Sequence, residues 1–201
     1  QKHKIAPDSL ECDTVIVSCG LVNFEDSAFA NGSSAEFRNW LGDRKIVISF
    51  FENYPDAKER FVRSFKKNYP ELCAGRNIVI IDCTKFYDPG KDRSLRSHLG
   101  THHASFKRIV ESPDFPTVNA PLETLKCKEK NLVINVCKSG RHRSVVCTEA
   151  QDDVCQTNLY DGEPRVARIH LQSETHWGHL CGFGCKACNP SSQANVPNQQ
   201  R

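Results

Sequence analysis

Asn131-Leu132-Val133-Ile134-Asn135-Val136-Cys137 runs directly into Lys138-Ser139-Gly140-Arg141-His142-Arg143-Ser144. The first half is a short apolar block rich in Val and Ile and reads as a β-strand over Asn131–Cys137. The second half carries a glycine among basic residues and leads into a helical stretch over Ser144–Thr157. A strand that ends in such a loop and then enters a helix is a frame for holding an anion. The unpaired N–H groups at a helix start point outward, and the helix dipole adds partial positive charge there. Arg141, His142 and Arg143 supply side-chain donors beside them, and an arginine grips phosphate with parallel hydrogen bonds.

Working outward, Thr14–Ser18, Lys45–Phe50, Asn77–Asp82 and Arg165–Leu171 also read as strands. All but the last carry continuous Val/Ile blocks, which suits strands covered on both faces. Helical stretches lie between them. Asp56–Tyr69 puts Phe61, Val62 and Phe65 on one face and Lys58, Arg60, Arg63 and Lys67 elsewhere, with Pro55 placed to start it and Pro70 to stop it. His102–Glu111 sets Phe106, Ile109 and Val110 at helical spacing. This alternation predicts an α/β fold: a mainly parallel sheet flanked by helices, in a single domain with a Cys-rich C-terminal segment. Ligands of such sheets bind outside the carboxyl ends of the strands, where Cys137–Ser144 and Asp82–Arg96 would lie.

Residues 1–12 read as an N-terminal tail and 13–188 as the domain, including a zinc-binding end over 176–188. Residues 189–201, polar and almost uncharged, read as a disordered tail. Ser27–Ser34 reads as a loop.

The chain has 201 residues, of which 25% are charged and 38% hydrophobic, enough to bury a sizeable core. A net charge of +3 makes no strong case for nucleic acid, although clustered cations would serve RNA. No apolar run is long enough for a membrane span. The opening residues lack the apolar core of a signal peptide, and methionine is absent even at position 1, so the chain reads as a fragment or a processed product. Its 11 cysteines are an odd number, and Cys19, Cys83 and Cys137 sit in or beside apolar runs as small hydrophobes. A reducing compartment, the cytoplasm, follows as the expectation.

The spacing Cys137-x5-Arg143-Ser144 matches the signature of the tyrosine and dual-specificity phosphatases. That resemblance implies a nucleophilic Cys137, a phosphate-binding Arg143 and, upstream, Asp114 as general acid. A helix start and neighbouring arginines shift a thiol toward the thiolate. Val136 stands where those enzymes usually carry His.

Gly140-x-His142-Arg143-Ser144-Val145 also resembles a second family, the C-terminal domain of the RapZ/YvcJ RNase-adapter proteins, whose strand ends in Cys-x-Gly-Gly-x-His-Arg-Ser-Val. Here Cys137 matches as well, and Ser139 replaces the first glycine of the pair. The apolar strand ending at Asp82, then Asp88-Pro89, then Leu95-Arg96-x-x-Leu99-Gly100, follow the family's blocks in order, so the resemblance covers roughly residues 45–171. The family's N-terminal ATPase half has no counterpart, and no Gly-x4-Gly-Lys-Ser/Thr occurs, so no nucleotide cofactor is expected. The resemblance implies a sensor or adapter that binds a phosphorylated small molecule such as a sugar phosphate, with RNA or a protein as partner and a tendency to form oligomers. Ligand-facing candidates are Lys138, Ser139, Gly140, Arg141, His142, Arg143 and Ser144, joined by Asp82, Arg96 and His103. An RNA-binding module using Arg93, Arg96, Lys107 and Arg108 is a further alternative.

The segment from His176 to Cys188 carries a separate signal. Cys181-x3-Cys185-x2-Cys188, with glycines between and His179 or His176 nearby, has ligand types and spacing suited to one structural zinc ion. The expected set is Cys181, Cys185, Cys188 and His179.

Overall fold

Successive residues of β1 (Thr14–Gly20) and β3 (Asn131–Cys137) point to opposite faces of the sheet, and both faces are covered. Val15, Val17 and Cys19 join Leu132, Ile134 and Val136 in one apolar cluster. Ile16, Val133 and Cys137 join a second cluster on the other side. That double burial is why the sequence carries continuous Val/Ile blocks rather than alternation. In this computed structural model the described residues are 4–24, 49–125, 129–158, 165–172, 177, 185, 187 and 188, with residues 156–158 described by backbone only.

The fold is α/β. The sheet has four strands in the order β2-β3-β1-β4, with β2 spanning Asn77–Asp82 and β4 Val166–His170. Every pairing is parallel, with Thr14 opposite Asn131 and Val166, and Asn77 opposite Asn131. All strands therefore end on the same edge, and the loops that follow Gly20, Asp82, Cys137 and His170 meet there.

The stretch before β1, read as a tail, holds a short helix, α1 (Pro7–Glu11), and Ile5 and Leu10 rest against the first cluster. Helices α2 (Phe50–Asn53), α3 (Pro55–Asn68) and α4 (Pro70–Cys73) follow. They build the first cluster with Phe50, Phe61, Phe65 and Leu72, each almost wholly buried. Pro55 opens α3 as expected. Pro70 both ends that run and opens α4, since its missing N–H costs nothing in a first turn. Helices α5 (His103–Val110), α6 (Phe115–Asn119) and α7 (Arg143–Asn158) face the second cluster through Ile109, Val118, Val146 and Cys147.

One expected strand needs correction. Residues 45–48 lie outside the described residues, but Ser49 and Phe50 are not strand. Ser49 caps α2 by accepting from the Glu52 N–H at 3.4 Å, and Phe50 begins the helix. The expected loop over Ser27–Ser34 and the expected tail over 189–201 also lie outside the described residues.

Helix α7 packs on the sheet through a polar layer. Asn135 of β3 donates to Thr148 Oγ1 at 2.9 Å and Gln151 Oε1 at 2.7 Å, and Gln151 donates back to Asn135 Oδ1 at 3.0 Å. Beside it, Ser18 Oγ lies 2.7 Å from His170 Nδ1, and His170 Nε2 lies 2.6 Å from Glu149 Oε1. Arg168 closes the layer on Glu149 at 2.8 Å and Asp152 at 3.1 Å. Each of these layer side chains finds a partner, which is the condition for burying it. Among the described residues no helix is long and apolar enough to cross a membrane.

Candidate functional site

The loop between β3 and α7 is folded around Cys137. Gly140 takes φ +68°, the left-handed region that costs a glycine little, and its N–H donates to Cys137 Sγ at 3.3 Å. Ser144 Oγ, in the first turn of α7, lies 3.1 Å from the same sulfur. Cys137 itself is 2% exposed. The end of β1 presses on this loop: a Cβ at Gly20 would sit 2.3 Å from the Ser139 carbonyl carbon, so only glycine fits. The Gly20 N–H donates to Gln172 Oε1 at 2.9 Å, and the Val22 N–H donates to the Lys138 carbonyl at 3.1 Å.

His142 and Arg143 turn inward. They are 5% and 6% exposed. Arg143 Nη1 donates to the carbonyl oxygens of Thr84 at 2.8 Å and Phe86 at 3.1 Å, and its Nη2 lies 3.8 Å from Asp88. His142 meets Asp88 Oδ1 at Nδ1, 3.2 Å away, and the His98 carbonyl at Nε2, 2.8 Å away. Arg141 Nε stands 3.0 Å from the same Nε2; the carbonyl contact is the shorter of the two and is fixed by backbone. Burial alone would raise the Asp88 carboxyl. The His142 hydrogen bond, the Arg143 guanidinium and the Gly90 N–H outweigh it and hold Asp88 well below the usual carboxylate range. These two basic residues thus fasten α7 and its loop to the segment after β2.

The half-exposed groups of the loop are Lys138, Ser139 and Arg141. The Arg141 guanidinium stands 5.4 Å from the centre of the Trp177 ring, and Trp177 Nε1 donates to the Ser139 carbonyl at 3.0 Å.

Other expected site residues lie apart from Cys137. Asp82 is opposite Val136, so its side chain is on the α3 face while Cys137 is on the α7 face. It accepts from Ser49 Oγ, Phe51 N–H, and both the N–H and hydroxyl of Thr84, and it lines a cavity of about 260 Å³ with Lys58, Lys85 and Thr117. Asp114 precedes α6, where its N–H donates to Ser112 Oγ; among the described contacts none joins it to Cys137. Arg96 is exposed and donates to the Gly90 carbonyl at 3.2 Å. His103 is exposed in the first turn of α5.

Of the expected zinc ligands, His179 and Cys181 lie outside the described residues. Cys185 and Cys188 meet His98: its Nδ1 lies 3.6 Å from Cys185 Sγ and 3.4 Å from Cys188 Sγ. The three ligand atoms all lie within 4.8 Å of one another, forming a His/Cys/Cys group able to hold a metal ion. His98 falls nearly ninety positions earlier in the chain, and only folding pairs it with this end. In the sequence Asp88 stands out only in the Asp88-Pro89 block of the RapZ/YvcJ resemblance, and its role under His142 is set by the fold.

No protein-family model, curated protein or solved structure matches this chain.

Proposed function

We propose that the Cys137–Ser144 loop binds a phosphorylated small molecule, in a sensor or adapter domain like that of the RapZ/YvcJ proteins whose loop motif it resembles. One observation carries this reading. The loop lies at the carboxyl edge of a parallel sheet, immediately before a sixteen-residue helix, with Lys138, Ser139 and Arg141 half-exposed on it. That edge is where such sheets bind ligands, and a helix start favours anions. In this arrangement Lys138 and Arg141 supply charge to the phosphate, and Ser139 supplies a hydroxyl. His142 and Arg143 act as positioning residues, because their donors are engaged by Asp88 and by backbone carbonyls.

Thermal melting with sugar phosphates and with inorganic phosphate tests the proposal. A ligand that binds only the folded protein raises the midpoint. The rise is expected in the wild type and lost in Lys138→Ala/Arg141→Ala, each read against its own ligand-free midpoint. Absence of any rise across such phosphates rejects the reading.

A second reading rests on the Gly140 N–H and the Ser144 hydroxyl at Cys137 Sγ. It is a Cys-dependent phosphatase, with Cys137 as nucleophile. Hydrolysis of an aryl phosphate that disappears in Cys137→Ser would establish it in place of the first. RNA binding, the third alternative, would show as affinity that falls steeply with salt.

The metal group supplies three of the four ligands that a structural zinc ion takes. Two thiols and an imidazole are borderline-soft donors of the kind zinc takes. A tetrahedral zinc with bonds of about 2.1 Å to nitrogen and about 2.3 Å to sulfur sets its ligand atoms about 3.6 Å apart. The His98 nitrogen stands 3.6 Å and 3.4 Å from the two sulfurs. In this reading His98 joins Cys185 and Cys188 as a ligand. A reducing compartment such as the cytoplasm keeps these thiols available.

A further inference from the structure

The segment that carries His98 also carries two contacts to the basic loop. The His98 carbonyl accepts from His142 Nε2 at 2.8 Å, and the Gly100 N–H donates to the Arg141 carbonyl at 2.9 Å. The approach is so close that a Cβ at Gly100 would stand 2.4 Å from the His142 carbonyl oxygen. A second arm reaches the same loop from the Cys-rich end, where Trp177 Nε1 donates to the Ser139 carbonyl at 3.0 Å and the Trp177 ring faces the Arg141 guanidinium. The two arms meet again at His98, Cys185 and Cys188, where Thr101 Oγ1 also donates to the Cys188 carbonyl at 2.8 Å. The loop is thus bonded to two segments, one carrying His98 and one carrying Trp177, and His98 meets Cys185 and Cys188 at one group of metal-ligating atoms.

We infer that a zinc ion held by His98, Cys185 and Cys188 is the clamp that fixes the shape of the 138–142 loop. The inference rests on the zinc reading above and goes beyond it by giving the ion an effect at the anion site. Without a metal, the three ligand atoms meet through sulfur–imidazole contacts, beside the Thr101–Cys188 hydrogen bond, and a thiol is a weak donor and a weak acceptor. With zinc, each cysteine binds as thiolate after losing its proton to solvent, His98 binds through Nδ1, and coordinate bonds replace those contacts. The ring from loop to His98, through the ion, to the Cys-rich end and Trp177, and back to Ser139 is then closed. Fewer conformations remain to the loop, so a ligand that needs one of them binds with less ordering cost.

Hydrogen exchange on the full chain tests this without any anion. Protein purified without chelator is compared with chelator-stripped and zinc-reloaded protein, and metal content is measured on each. Reloading is expected to restore about one zinc per chain and to slow exchange of the 138–142 amides about tenfold relative to the stripped protein, while β3 amides stay protected throughout. His98→Ala is the discriminating variant, because it deletes the ligating nitrogen and keeps the carbonyl that His142 uses. It is expected to lose both zinc and the metal-dependent protection, as is Cys188→Ser. Cobalt loading supplies a second readout: thiolate-to-cobalt absorption in the wild type, diminished in Cys188→Ser. Much less than one zinc per chain, with no cobalt–thiolate absorption, overturns the zinc reading and the clamp with it. Stoichiometric zinc with unchanged loop exchange overturns the clamp alone. Loss of β3 protection on stripping also overturns it, since the ion would then hold the whole fold rather than the loop.

Discussion

Arg143 donates to the carbonyl oxygen of Thr84 at 2.8 Å, so the first residue of α7 is bonded to the turn that follows β2. A guanidinium that the sequence suggests for phosphate is occupied by backbone. Arg143→Ala leaves the Thr84 and Phe86 carbonyls without a buried donor and removes one of the two basic groups beside Asp88. Equilibrium urea unfolding should show a loss of about 2–4 kcal/mol, the cost of breaking buried charged hydrogen bonds. Lys138→Ala, at a half-exposed site, should stay within about 0.5 kcal/mol of the parent. Similar stabilities for the two variants would contradict the assignment of Arg143 as a fastener.

Two glycines separate steric crowding from backbone conformation. Gly75 has φ +65° and nothing within 4 Å of a would-be Cβ, so Gly75→Ala should cost only about 1 kcal/mol. Gly20 lacks a positive φ, but its Cβ would meet Ser139 and Gly140 backbone atoms at 2.3–2.8 Å. Gly20→Ala must move the loop and should cost more than about 2 kcal/mol. The ordering of the two midpoints in denaturant is the check.

Asp88 sets an acid limit. Its carboxyl is held below the ordinary range, so the folded state binds fewer protons there than the unfolded chain does. Its contribution is complete above about pH 4, the unfolded carboxylate range, and is lost as pH falls toward the depressed folded value. Asp88→Asn should therefore lower stability at neutral pH and flatten its fall on acidification. Parallel acid-unfolding curves for variant and parent would show that the pairing contributes nothing.

The polar layer under α7 should be intolerant of half-removal. Asn135→Ala leaves Gln151 and Thr148 with unmet hydrogen-bonding groups and opens a small void beneath the helix. A loss of about 2–3 kcal/mol is expected in urea unfolding. Asn135→Ala/Gln151→Leu, which removes both partners, should recover part of that loss, and a double-mutant cycle reads the coupling.

The strands β1, β2, β3 and β4 and the helices α3, α5 and α7 were legible within a residue or two. The apolar runs of β1, β2 and β3 are continuous, those of α3 and α5 are periodic, prolines punctuate α3, and α7 is entered from the basic loop. Helix α2 was misread at Ser49-Phe50, because a short β-branched run leads into them and the capping bond to Glu52 depends on a side-chain rotamer. At the site, the loop and its glycine were visible as a motif. The inward turn of His142 and Arg143 was not, because their partners are the carbonyls of Thr84, Phe86 and His98, and any residue type carries a carbonyl.

By itself the sequence determined the α/β class, the strand that ends at Cys137 and the basic turn after it. Those follow from local hydrophobic period and from glycine and proline chemistry, which act between near neighbours in the chain. Tertiary structure alone decided which cations remain on the surface, which face of the sheet Asp82 takes relative to Cys137, and that His98 joins Cys185 and Cys188. Those outcomes depend on strand order and on contacts between distant segments. The energy of a buried guanidinium or of a converging ligand set is settled by what the fold places around it.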